Sequence, residues 1–280
     1  MVSVMDEINK NDRCAVGFNQ EFKKLELQYI MLKEQVANQL EMLANLREKV
    51  GPNIKADYMM KIGQFETRVY ELKVEINRWK RRFTLRQQAL NRGEKPDYLA
   101  IEAQLDKEFA SYIEEIKKRV AEINQASLRF HCGKMTDQET AELRYMYLNA
   151  VKKLHPDLNP SLPESAVDLW NQIQLAYTNE DWDQFRFLCG LVDHVVSGER
   201  KFDASKDGIE LLRESILKLR ERSADIAAKT AELQSTVPFT YEVLLEDEDL
   251  VAARQQQLRD QIKSLEECMK EYEEMWNHGK

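Results

Sequence analysis

Histidine and cysteine are scarce in this chain, and their placement limits the chemistry it could do. There are four of each. His131-Cys132, Cys189 and His194 carry atoms that suit zinc, but their separations match no short-range zinc pattern. They read instead as buried thiols and surface imidazoles, so no metal is expected. The cysteines, Cys14, Cys132, Cys189 and Cys268, include no C-x-x-C pair, which points to free thiols in a reduced, cytoplasmic setting. No two glycines are spaced for G-x-G-x-x-G, and neither Gly133-Lys134 nor Gly279-Lys280 continues into a phosphate-cradling loop. H-E-x-x-H and G-x-S-x-G are absent. With no nucleophile, acid–base pair or phosphate loop standing out, neither an enzyme nor a bound cofactor is expected.

His155 stands apart. It opens the run His155-Pro156-Asp157-Leu158-Asn159-Pro160. Pro156 fixes its own φ and disfavours helical geometry at His155, so the imidazole and the carboxylate of Asp157 sit on a stiff turn between two periodic segments. Before the turn, Thr136-x-x-Glu139 is a capping box that should start a helix at Asp137, with Leu143, Tyr147, Ala150 and Leu154 on one stripe. Tyr145, Asn149 and Lys152 fall roughly opposite, with Lys153 on a flank. After the turn, Ser161-x-x-Glu164 reads as a second capping box, followed by Val167, Trp170, Ile173 and Ala176 or Tyr177 on one face.

These residues resemble the J-domain (DnaJ-like) co-chaperones. The likeness rests on His155-Pro156-Asp157, on Asn159-Pro160, on Tyr147 eight before the histidine and on Lys153 two before it. Trp170-Asn171-Gln172-Ile173-Gln174-Leu175-Ala176-Tyr177 is similar to the family's F-K-E-I-N-E-A-Y. It covers about a quarter of the chain. The resemblance implies docking on the ATPase of a DnaK-type chaperone and stimulation of its ATP hydrolysis. His155, Pro156 and Asp157, with Lys152 and Lys153, would form the chaperone-binding surface. Asp157 would pair with a partner cation, and the lysines would steer onto an acidic partner. The sequence departs from the family at Leu148, where Arg is frequent, and at Leu158, where Lys is frequent. The basic face is therefore thin. The family's first helix has no clear counterpart, and residues 120–130 are the expected substitute. The family's basic last helix is replaced by the acidic run from Asn179 to Phe185, whose Trp182 and Phe185, with Phe187, should mostly close a small core. Gly/Phe-rich and C-x-x-C zinc segments are missing, so nothing resembles a client-binding domain, and the client is open. A second reading stays open: a coiled-coil scaffold whose J-like module no longer couples to a chaperone.

The elements that position this loop follow from composition. The 280 residues include only 9 Gly and 6 Pro, where average usage gives about 20 and about 14. Sheets need many turns, and turns need these residues, so an all-α fold is expected. Lys and Arg number 41 against 49 Asp and Glu, a net −8 that argues against nucleic acid as a partner. No apolar run approaches the ~18–20 residues of a membrane span, and the first ten residues lack the basic and apolar regions of a signal peptide.

Gly51-Pro52, Gly93 to Pro96, Cys132-Gly133, Pro156 to Pro163, Gly190 to Gly198 and Pro238 read as breaks. Between them run apolar seams in steps of three and four. Phe18 to Val50, Ile54 to Phe83 and Ile101 to Ile123 predict an antiparallel helical coiled-coil bundle over 18–131. The J-like module spans 132–197. Ile209 to Leu233 and Leu258 to Trp276 predict a C-terminal helical hairpin over 203–280, its second helix opened by Glu246-Asp247-Glu248-Asp249. Residues 1–17 show no seam and read as a flexible tail. Because the breaks supply turns, the seams are expected to close within one chain and favour a monomer.

Overall fold

The computed structural model describes residues 2–131, 135–195 and 202–278. Its regular elements are all helical, and no strand occurs among the described residues. In order they are α1 (Val2–Asn45), α2 (Gly51–Tyr58), α3 (Gln64–Asn91), α4 (Tyr98–His131), α5 (Asp137–Leu154), α6 (Glu164–Thr178), α7 (Trp182–Val195), α8 (Lys206–Gln234), the short α9 (Glu242–Glu246) and α10 (Glu248–His278). π-helical turns occupy Leu46–Val50 and Met59–Gly63. The expected tail differs: the backbone is already helical from Val2, as part of α1. Cys132-Gly133 and residues 196–201 lie outside the described residues, while Gly190, read as the start of a break, sits inside α7.

Gly51-Pro52 is not the expected turn. Both residues are helical and open α2. A proline inside a helix gives no N–H to the carbonyl four residues back, and its ring crowds that carbonyl. The π-helical turn at Leu46–Val50 immediately before it widens the backbone where the crowding falls. The break after α3 is as expected: Gly93 takes φ +73°, a left-handed conformation that glycine adopts without a Cβ clash.

The chain forms two compact units, and they do not follow the expected division. One comprises Met1–Val50 and Lys134–Thr236; the other comprises Gly51–Gly133 and Val237–Lys280. The expected bundle over 18–131 is thereby shared between units. So is the expected C-terminal hairpin, since α8 belongs to the first unit and α10 to the second.

In the second unit α3 and α4 pair antiparallel. Val74 and Leu85 pack with Ile101, Leu105 and Phe109. Along the edge Arg82 forks onto Glu102, and Arg81 onto Glu108. The Glu108 carboxyl is held down to about 2 by the Arg81 hydrogen bonds, assisted by Gln104. α10 runs parallel to α3, with Leu258 beside Ile62 and Val69. Further along, Trp276 meets Trp79 and Phe83 edge-on. Asp247 accepts from the backbone N–H groups of Asp249 and Leu250, each at 3.0 Å, so it caps α10 at the acidic run that the sequence placed at the helix start.

In the first unit α8 runs parallel to α1. Phe22 packs with Ile209, Leu212 and Ile216. A larger core joins Val36 and Ala37 of α1 and Leu219 and Ile226 of α8 to the buried faces of α5, α6 and α7. The helices that α5, α6 and α7 pack on are therefore α1 and α8. Residues 120–130 of α4, expected to substitute for the family's first helix, belong to the other unit.

Candidate functional site: the loop between α5 and α6

α5 starts where its capping box predicts. Thr136 Oγ1 accepts from the Glu139 N–H at 3.2 Å, and Glu139 Oε2 accepts from the Thr136 N–H at 2.9 Å. Leu143, Tyr147, Ala150 and Leu154 are buried as expected. The second capping box does not form: Pro163 is the residue before α6, with no side-chain cap. On α6, Trp170, Ile173, Ala176 and Tyr177 are buried, and Val167 is half-buried. Tyr147 packs against Tyr177 at 4.3 Å between ring centroids and against Trp170 at 5.8 Å, so α5 and α6 close as a hairpin. Burial pushes both phenols well above their ordinary pKa.

The loop at the end of this hairpin is a set of short-range hydrogen bonds. His155 leaves the helix with φ −70° and ψ 127°, the extended geometry Pro156 demands. Its carbonyl accepts from the Leu158 and Asn159 N–H groups at 3.1 and 3.0 Å. Its Nδ1 accepts from the Asp157 N–H at 3.1 Å, which places the proton of the neutral ring on Nε2. The Asn159 amide donates to the Lys152 carbonyl at 2.9 Å, satisfying an orphan acceptor at the end of α5. Pro156 is exposed.

His155 is not a surface residue: its side chain is 14% exposed and lies edge-on to Trp170 at 5.3 Å. Burial lowers its pKa. Nearby Asp157 opposes that shift and Arg222 reinforces it. The sign for stability follows. Below the ordinary pKa of about 6.5 an unfolded chain binds a proton that the folded imidazole resists. The stabilising effect of a neutral His155 is therefore fully present above that pH and is lost as pH falls from it through the lower folded pKa. The melting temperature of the wild type is expected to fall more between pH 7.5 and 5 than that of His155→Gln. Parallel curves for the two proteins would show that the imidazole titrates as freely folded as unfolded.

Lys152 and Lys153 end α5, and His155, Pro156 and Asp157 follow in the turn; the charged ones have partners within the chain. Asp157 Oδ2 is paired with Arg222 Nε of α8. Lys152 Nζ is 2.5 Å from Glu34 of α1, and Lys153 is paired with Asp193 of α7. Lys33 of α1 donates to Asn159 Oδ1 at 3.2 Å. The departures at Leu148 and Leu158 have a packing reason. Leu158 is buried, Leu148 is half-buried, and both pack with the core shared with α1 and α8. A lysine at 158 would bring its charge into that core.

Sequence reading missed Lys33, Glu34 and Arg222. A signal for the last existed. The apolar seam of α8 skips from Leu219 to Ile226, and the skipped step is the buried Ser223, which accepts from Gln35 at 3.2 Å. A polar step in an otherwise apolar stripe marks where a helix meets polar groups, and Arg222 flanks it. A second missed feature lies nearby. Glu41 of α1 is 2% exposed and accepts from Arg144 Nε at 3.1 Å. Lys49 lies 4.7 and 4.4 Å from the Tyr177 and Trp182 rings, a cation–π arrangement that ties the first π-helical turn to α6 and α7.

Among the described residues no group of histidine, cysteine and acidic side chains is arranged to hold a metal ion. The His131 side chain and Cys132 lie outside the described residues. Cys189 is half-buried, and burial pushes its thiol up to about 12, which makes it unreactive near neutrality. No helix among the described residues is long and apolar enough to cross a membrane. Comparison with family models, with curated proteins and with solved structures returned no match to this chain.

Proposed function

We propose that the chain is a J-domain-type co-chaperone that docks on a DnaK-type chaperone through His155, Pro156 and Asp157 and stimulates its ATP hydrolysis. The observation that carries this reading is the turn itself. Pro156 projects at the tip of a two-helix hairpin, with His155 and Asp157 held on either side of it by hydrogen bonds within the turn. Such a preorganised turn binds with little ordering cost. The partner performs the hydrolysis, so no residue here has to make or break a bond. The remaining helices position the module near a client or assembly, and the chain acts within a reduced, cytoplasmic compartment as a monomer. The test is single-turnover ATP hydrolysis by a DnaK-type chaperone, with and without the purified chain. A rate increase that saturates with the chain's concentration is expected.

One observation favours the scaffold reading instead: Asp157, Lys152 and Lys153 all have partners within the chain. A scaffold would leave the ATPase rate unchanged both for the wild type and for variants in which those pairs are removed.

A further inference from the structure

We propose that Arg222 is a side-chain latch that shares its guanidinium between two carboxylates and withholds Asp157 from an incoming partner. This rests on the co-chaperone reading and adds a regulatory element to it. The Nε of Arg222 pairs with Asp157 Oδ2, while its Nη1 lies 2.5 Å from Asp225 Oδ2, one helical turn further along α8. Asp157 is left 31% exposed. A cation that a partner brings to Asp157 Oδ2 competes with the Nε of Arg222 for that oxygen. Displacement strands no charge, because Arg222 keeps Asp225. α8 need not unpack either: Leu219 and Ile226, on either side of Arg222, stay in the core.

Asp225 is itself shared, since Lys229 Nζ donates to it at 2.9 Å. Hydrogen bonds from Lys229 first, with Arg222 assisting, hold the Asp225 carboxyl below its ordinary pKa, so it stays an anion near neutrality. The closed position is supported from α1. Glu34 holds Lys152 and Lys33 holds Asn159, so the docking face is tied on two sides. These are partly exposed pairs, each able to bias an equilibrium by up to about fivefold. That range suits a latch: closed by default, yet open to competition from a partner.

The latch makes two predictions of opposite sign. Arg222→Ala frees Asp157 and is expected to lower the concentration needed for half-maximal stimulation of a DnaK-type ATPase by about fivefold. Asp225→Asn takes away the alternative carboxylate, so Arg222 stays on Asp157 and that concentration is expected to rise. Arg222 is half-buried and Asp225 is exposed, and thermal melts check that each variant is folded. An Arg222→Ala variant that is weaker than an active wild type overturns the latch and makes Arg222 part of the docking surface, leaving the co-chaperone reading intact. Equal potency of the wild type and both variants also overturns the latch alone. If neither the wild type nor folded Arg222→Ala stimulates or binds the chaperone under ATP, the co-chaperone reading fails and the latch fails with it.

Discussion

His155→Gln is expected to cut stimulation of a DnaK-type ATPase at least tenfold, a loss of about 1.4 kcal/mol or more in productive coupling. The imidazole belongs to the turn. Its Nδ1 takes the Asp157 N–H, and its ring edge lies on Trp170. Glutamine offers an acceptor oxygen but no ring, so the turn would lose its packing on Trp170 and Asp157 would no longer be presented in one orientation. The structure alters the expected stability cost. A surface substitution is usually within about half a kcal/mol, but a largely buried, hydrogen-bonded ring should cost about 1 kcal/mol. Single-turnover hydrolysis is therefore to be measured well below the variant's melting temperature, preferably in an Arg222→Ala background where the signal is larger. Full stimulation by folded His155→Gln would show that the coupling does not pass through this loop.

The helices were legible because burial has a period. Leu143, Tyr147, Ala150 and Leu154 announce the inner face of α5, and Thr136 with Glu139 announces its start. The turn was legible because Pro156 allows the preceding residue few conformations. What periodicity does not carry is the identity of the partner helix. An apolar seam states which face is buried and is silent on what covers it. The seams of α8 and α10 therefore suggested a hairpin, yet α8 lies parallel to α1 and α10 parallel to α3. Proline at 52 misled for a related reason. Local rules place it outside a helix interior, and a π-helical turn supplied the exception.

The site was legible in part. The helix end carrying Lys152 and Lys153 and the turn of His155, Pro156 and Asp157 lie where local patterns put them. Their ionic partners were out of reach of any local rule, since Arg222 is 65 residues from Asp157 and Glu34 is 118 from Lys152. The two leucines that looked like gaps in a basic face are core contacts. The thin charge at 148 and 158 thus reflects the packing of the hairpin on α1 and α8.

Phe185→Ala and Phe187→Ala, two positions apart on α7, are expected to differ more in stability than any other neighbouring pair on that helix. Phe185 is 0% exposed, with Tyr147, Tyr177 and Trp182 around it at centroid distances of 5.6 to 6.4 Å. Phe187 is 67% exposed. Truncating a fully buried phenylalanine removes its transfer energy and leaves a cavity, about 3–5 kcal/mol together. For a cooperative unit of this size that is a drop of roughly 10 °C in melting temperature. Truncating Phe187 should shift it by no more than about half a kcal/mol. The pair also separates the buried from the exposed aromatics at the acidic run after α6, which sequence read mostly as core. Because Tyr147 and Tyr177 pin α5 to α6, loosening at Phe185 should reach the turn between them. Hydrogen exchange at the Leu158 and Asn159 amides, which bond to the His155 carbonyl, should therefore quicken in Phe185→Ala and stay unchanged in Phe187→Ala. Equal exchange in the two variants would mean that the turn holds itself and borrows nothing from the aromatic core behind it.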